Sequence, residues 1–92
     1  MLARRLFETA RLRGDDGTEL LLEYYLLCDA GGACRSYGAE IVLARGAERE
    51  SVCVRDITTS DARIARLLAL LHRNTVTPCA LYEVLDEALD KI

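Results

Sequence analysis

Ser60-Asp61-Ala62-Arg63-Ile64-Ala65-Arg66-Leu67-Leu68-Ala69-Leu70-Leu71-His72-Arg73, followed by Asn74-Thr75-Val76-Thr77-Pro78, sets the architecture of this chain. Ile64, Leu67, Leu68 and Leu71 fall at i, i+3, i+4 and i+7, which is one apolar face of a helix with 3.6 residues per turn. Ala65 and Ala69 are expected to widen that face without adding bulk. Ser60 or Thr59 is the N-cap candidate, because a hydroxyl oxygen accepts from the free N–H groups of the first turn. Asp61 suits the positive end of the helix dipole, and His72 and Arg73 suit the negative end. Asn74 is the expected left-handed terminator.

A second helix follows at once. Thr77 is its N-cap candidate, and Pro78 fits the first helical position, where no N–H is needed. Leu81, Val84, Leu85 and Ala88 repeat the i, i+3, i+4, i+7 spacing, with Leu89 beside them. The short connection makes the two helices neighbours, over about 60–73 and 78–90.

Upstream, the pattern changes from helical to alternating. Thr18 to Asp29 places Leu20, Leu22, Tyr24, Leu26 and Cys28 on one face and Leu21, Glu23, Tyr25, Leu27 and Asp29 on the other. Both faces are largely apolar, so this strand belongs in the middle of a sheet. Before it, Leu6, Glu8, Ala10 and Leu12 alternate with Phe7, Thr9, Arg11 and Arg13. A strand ending in the Gly14-Asp15-Asp16-Gly17 turn is preferred there over a helix on Leu2–Arg13. After it, Ala30-Gly31-Gly32-Ala33 reads as a hairpin loop. Cys34 to Arg45 returns, with Tyr37, Ala39, Ile41 and Leu43 on one face. Gly46-Ala47 turns the chain into a shorter strand from Arg49 to Asp56, with Val52 and Val54 towards the core.

The expected fold is therefore α+β. An antiparallel meander of three to four strands, over about 6–57, is followed by a C-terminal two-helix hairpin packed on the sheet. The 92 residues fit one domain, 1–92. A chain of this length buries roughly 60–65% of its unfolded surface and has little apolar surface to spare. With 51% hydrophobic and 29% charged residues it reads as globular rather than disordered. No apolar run approaches the ~20 residues that span a bilayer. Glu8 and Arg11 interrupt the N-terminal stretch where a signal core would lie. The expectation is a cytoplasmic protein with no membrane association. The net charge of −3 disfavours non-specific affinity for phosphate backbones or anionic lipid.

Four stretches, Glu23-Tyr24-Tyr25-Leu26-Leu27, Tyr37-Gly38-Ala39-Glu40-Ile41, Val54-Arg55-Asp56-Ile57 and Asn74-Thr75-Val76-Thr77-Pro78, appear in this order along the chain. In that order they resemble a family of short bacterial proteins of unknown function. The similarity runs over roughly residues 20–90. It implies a single domain of bacterial origin and carries no activity with it. The cysteines are not part of the resembling pattern.

The residues offer few chemical constellations. Cys28 and Cys34 flank a loop, while Cys53 and Cys79 stand far apart in sequence. Without a secretion signal, ordinary thiols are expected. A Cys28–Cys34 disulfide is the first alternative. A zinc site is the second, although the five-residue spacing is loose for tight ligand pairs. His72 is the single histidine, and Cys79 is its nearest thiol in sequence. A nucleophile pair would need the fold to join them. Glu83, Asp86, Glu87 and Asp90 form an acidic face on the second helix, read as solvated or as a docking surface for a basic partner. That face argues against a helix-turn-helix, whose second helix must offer Arg, Lys, Asn or Gln to bases. Arg4, Arg5, Arg11, Arg13, Arg63, Arg66 and Arg73 are the candidates for a nucleic-acid patch. No phosphate loop, nucleophile elbow or zinc-protease motif is present.

No catalytic, metal-binding or cofactor-binding residue is assigned from these patterns. The function expected is a small non-catalytic interaction or regulatory module, with a nucleic-acid-associated regulator and a cysteine-dependent redox protein or enzyme as alternatives. The expected interaction surface is Tyr25 and Leu27 on the second sheet face, together with Glu83, Asp86, Glu87 and Asp90. The expected partner is a second copy of the chain or another protein.

Overall fold

The structure, a computed structural model, describes residues 2–31 and 35–88. Four strands, β1 (Leu2–Arg13), β2 (Glu19–Asp29), β3 (Ser36–Arg45) and β4 (Glu48–Thr58), pair in sequence order as an antiparallel meander. Helix α1 (Asp61–Arg73) follows. A short 3-10 turn (Pro78–Ala80) then leads into helix α2 (Leu81–Ala88). The fold is the expected α+β layer pair, with both helices packed on one face of the sheet. Leu89 and Asp90, the last residues of the expected second helix, lie outside the described residues, as does Cys34 at the expected start of β3.

Local chemistry fixes the turns. Gly17 takes a positive φ of 85°, which costs glycine little, and its N–H donates to the Gly14 carbonyl at 3.0 Å. The Asp16 carboxylate accepts from the Thr18 N–H at 2.9 Å, and this bond holds Asp16 below the usual carboxylate range. At α1 the Ser60 hydroxyl oxygen accepts from the Arg63 N–H at 3.2 Å, the expected cap.

The core lies between the helices and one sheet face. Leu22 and Tyr24 of β2, with Ala39 and Ile41 of β3, meet Ile64, Leu67, Leu68 and Leu71 of α1. Val76, Leu81, Leu85 and Ala88 close the far side. Tyr24 is fully buried, yet its hydroxyl donates to the Val76 carbonyl at 2.9 Å, so the connection between the helices is tied to the central strand. The His72 ring packs edge-on against Tyr24, with centroids 5.8 Å apart.

Several expectations are corrected. β1 begins at Leu2, and it contains a bulge between Leu6 and Glu8. The extra residue reverses the alternation. Leu6 therefore pairs with Tyr25 on the helix-free face, while Glu8, Ala10 and Leu12 pair with Tyr24, Leu22 and Leu20 on the helix side. Ala65 and Ala69 are exposed, because the buried stripe of α1 is narrow. Asn74 does not take the left-handed turn, having φ −96°. Thr75 takes it instead at φ 46°, and the Asn74 side-chain amide donates to the Leu70 carbonyl. Thr77 has extended N-cap geometry but makes no side-chain capping bond, because the chain after it enters a 3-10 turn rather than an α-helix. Its hydroxyl lies 3.4 Å from Cys79 Sγ.

One further irregularity joins two stretches that stand well apart in sequence. Between the pairs Tyr37–Thr58 and Ala39–Val54, β4 carries more residues than β3. Asp56 turns left-handed at φ 57°, and its carboxylate accepts from the Ser36 hydroxyl at 2.5 Å. The β4 backbone is thereby pressed onto Gly38. A Cβ there would stand 2.9 Å from the Arg55 Cα and still closer to the Val54 carbonyl. Glycine is required at position 38 by this approach.

Candidate interaction surface

The meander leaves one whole sheet face without a helix. Register assigns Leu2, Arg4 and Leu6 of β1 to it, with Glu23, Tyr25, Leu27 and Asp29 of β2. Glu40 and Val42 of β3 and Ser51 and Cys53 of β4 complete it. Sequence alternation read this face as largely apolar. The structure adds a layer of charge over it. Arg4 of β1 reaches over β2 and donates through Nε to the Glu40 carboxylate. Its guanidinium lies 3.5 Å from the centroid of the Tyr25 ring, a cation–π contact. Glu40 raises the Arg4 pKa above its ordinary value. Arg55 of β4 reaches over β3 and donates to Asp29 Oδ2 at 2.7 Å. The Gly31 N–H first, and Arg55 second, hold Asp29 below the usual carboxylate range. Arg49 stands 3.5 Å from Glu23 Oε1, close enough for an ion pair but without a hydrogen bond, so that buried oxygen is unsatisfied.

The three pairs share one plan. Each arginine comes from an edge strand and each carboxylate from a central strand. Arg4 is the direct cross-strand partner of Leu27, and all three arginine side chains stay about half-exposed or more. Beneath this charged layer Leu27 and Val42 are only 3% and 5% exposed although no helix covers them. Leu27, expected as a contact residue, is placed beneath this layer. Tyr25 is half-buried beside Arg4. The apolar groups still open to water gather at one corner, where Leu2 is 45% and Leu6 49% exposed. Phe7, in the bulge, is 40% exposed next to them.

The other expected surface stands apart from this face. Glu83, Asp86 and Glu87 are exposed on α2, next to Tyr82, which is 60% exposed. Asp90 lies outside the described residues. The expected arginine patch is divided, since Arg4 is paired with Glu40 and Arg11 with Glu19 at 3.2 Å. Cys28 is half-buried on β2, Cys53 is exposed on β4 and Cys79 is exposed in the 3-10 turn, all three as free thiols. The Cys28–Cys34 alternative involves Cys34, which lies outside the described residues. His72 Nε2 contacts the Thr9 carbonyl at 3.0 Å, so the ring nitrogen is committed to β1. Among the described residues no group of three or more His, Cys, Asp or Glu side chains is placed to hold a metal ion. Among the described residues no helix is long and apolar enough to cross a membrane.

Sequence reasoning did not find the layer built by Arg4, Glu40, Arg49, Glu23, Arg55 and Asp29. Its signal is a run of acidic residues at helix-free positions of the two central strands. That signal becomes visible only once the register across three strands is fixed.

No curated protein and no solved structure matches this chain. The match to a family model is nearly complete, over residues 3–91, and the chain belongs to the family of unknown function DUF6514.

Proposed function

We propose that this protein is a small non-catalytic interaction or regulatory module of the bacterial cytoplasm, and that it meets its partner through the helix-free sheet face. The carrying observation is the corner formed by Leu2, Leu6 and Tyr25. Leu6 and Tyr25 are direct cross-strand partners, and Leu2 stands two repeats further along the same face, beyond Arg4. Large apolar side chains held open around an arginine and an aromatic ring are the composition of an interface anchor.

The stretches that carry the family resemblance support this reading. Tyr24, Gly38 and Asp56 build the frame, through the Val76 carbonyl, the close approach of β4 and the Ser36 hydroxyl. Tyr25 and Glu40 are left facing outward, joined through Arg4. The frame residues thus hold the working residues in register.

A photoreactive amino acid at position 6, in cells that express the protein natively, tests the proposal. The same probe at the exposed position 65 on α1 is the control. Discrete adducts from position 6 and none from position 65 are expected. No adducts from position 6, or equal adducts from both, would defeat the reading.

A further inference from the structure

The two edges of the sheet are not equivalent, and the difference points to a partner. β1 is closed in its middle. The outward Thr9 N–H is taken by the Glu8 carboxylate at 3.1 Å and its carbonyl by His72 at 3.0 Å, with the bulge beside them. These are devices that stop a strand edge from accepting another strand. β4 has none of them along Glu48–Val54, where its pairing with β3 is regular.

The direction of its free groups follows from the ladder. Because the polar groups of Thr9 point away from β2, Thr9–Glu23 is a non-hydrogen-bonded pair, and alternation carries across the sheet. Glu23 then bonds to Val42, Ile41 bonds to Val52, and the backbone groups of Ser51 and Cys53 point outward. Among the described residues those groups have no hydrogen-bond partner.

We infer that β4 is a self-association edge, which pairs antiparallel with β4 of a second copy about a two-fold axis at Cys53. An axis at any residue of β4 keeps side chains on matching faces, and three such axes lie within the stretch Ser51–Cys53. An axis at Ser51 sets Glu50 against Val52 of the partner subunit. An axis at Val52 sets Arg49 against Arg55 of the partner subunit, a like-charge pair. The axis at Cys53 sets Val52 against Val54 of the partner subunit, twice, and Ser51 against Arg55. It also brings Glu50 level with Asp56, but that carboxylate is turned back onto Ser36. The uncharged run Val52-Cys53-Val54 meets itself, and the product is a continuous eight-stranded sheet. Both helix-free faces point the same way, and the two β1 edges stand about 34 Å apart at ~4.8 Å per strand. The dimer thus presents two copies of the Leu2–Leu6–Tyr25 corner on one side. This contact uses a different surface from the proposed partner face and does not depend on it.

An edge pairing of this length buries less than the ~1,200 Å² of a stable complex, so micromolar or weaker association is expected. Sedimentation velocity of the reduced 10.2 kDa chain over a concentration series should show a concentration-dependent dimer. A short bis-maleimide should link two chains in a variant that keeps Cys53 alone, since the Cα atoms of a hydrogen-bonded antiparallel pair lie about 5.5 Å apart. Cys53→Lys places two ammonium groups at the axis, and Ser51→Pro removes an outward N–H without touching the β3 ladder. Each should weaken association at least tenfold with the fold retained by circular dichroism. A monomer at every concentration with no Cys53 cross-link would overturn the inference, as would a dimer indifferent to both variants. Adducts from position 6 that survive Cys53→Lys would show that the proposed partner face stands when this edge contact does not.

Discussion

Leu22 and Leu27 lie on the same strand and are almost equally hidden, at 0% and 3% exposure, yet what hides them differs. Leu22 is covered by the apolar stripe of α1. Leu27 lies on the face that carries the arginine–carboxylate pairs, with Arg4 as its direct cross-strand partner. The first covering is non-directional and strong, because apolar area leaves water. The second is weak per pair, since half-exposed ion pairs contribute at most about 1 kcal/mol and are screened by salt. A face closed in the second way can be opened by a partner at little cost.

Substitutions should separate the two faces by size of effect. Leu71→Ala removes a fully buried side chain beneath the helices. It should destabilise by about 3 kcal/mol in urea unfolding, through lost transfer energy and the cavity left behind. Gly38→Ala forces a Cβ against the β4 backbone and should cost about 2 kcal/mol by the same measurement. A smaller loss would mean that β4 can move away from β3 more easily than the bulge geometry implies.

Tyr24→Phe should cost about 1.5 kcal/mol, because the buried Val76 carbonyl loses its donor. This variant also has a pH signature. Burial pushes the Tyr24 phenol up from 10.0 to about 12, so the folded state favours its neutral form. Its contribution is fully present below the unfolded value and is lost as pH rises through that interval. Unfolding followed from pH 9 to 12 should therefore show a steeper alkaline decline in the native protein than in the Phe variant. Parallel declines would contradict the burial of this hydroxyl.

The smallest effect belongs to the helix-free face. Arg4→Ala should lower stability by less than about 1 kcal/mol at low salt, and the difference should shrink at high salt. The same salt series should leave the Leu71→Ala difference nearly unchanged, which is the direct contrast between the two coverings. A large, salt-insensitive Arg4→Ala effect would show that Arg4 acts mainly by packing on Tyr25.

The layer order was legible because hydrophobic periodicity is a local signal. The spacing of Ile64, Leu67, Leu68 and Leu71 reports one buried helix face, and the two largely apolar faces of Thr18–Asp29 report a central strand, each without reference to the rest of the chain. The facing of Leu6 was not legible. One extra residue at Phe7 reverses the alternation, and a bulge leaves no composition signal when no glycine marks it. Thr77 reads as a cap in sequence, but the turn that follows is 3-10, and its hydroxyl finds Cys79 Sγ instead. The charge layer was hidden for another reason. Arg4 and Glu40 stand 36 residues apart, and their meeting depends on two registers at once.

The helix-free corner, rather than the acidic helix, is the surface proposed to meet a partner. Hydroxyl-radical footprinting tests it most directly, comparing the purified protein with the protein in its native cell extract. Leu6 and Tyr25 should lose reactivity in the extract, while Tyr82 on α2 keeps its own. Protection of Tyr82 with Leu6 and Tyr25 unchanged would move the working surface to α2 and contradict the claim.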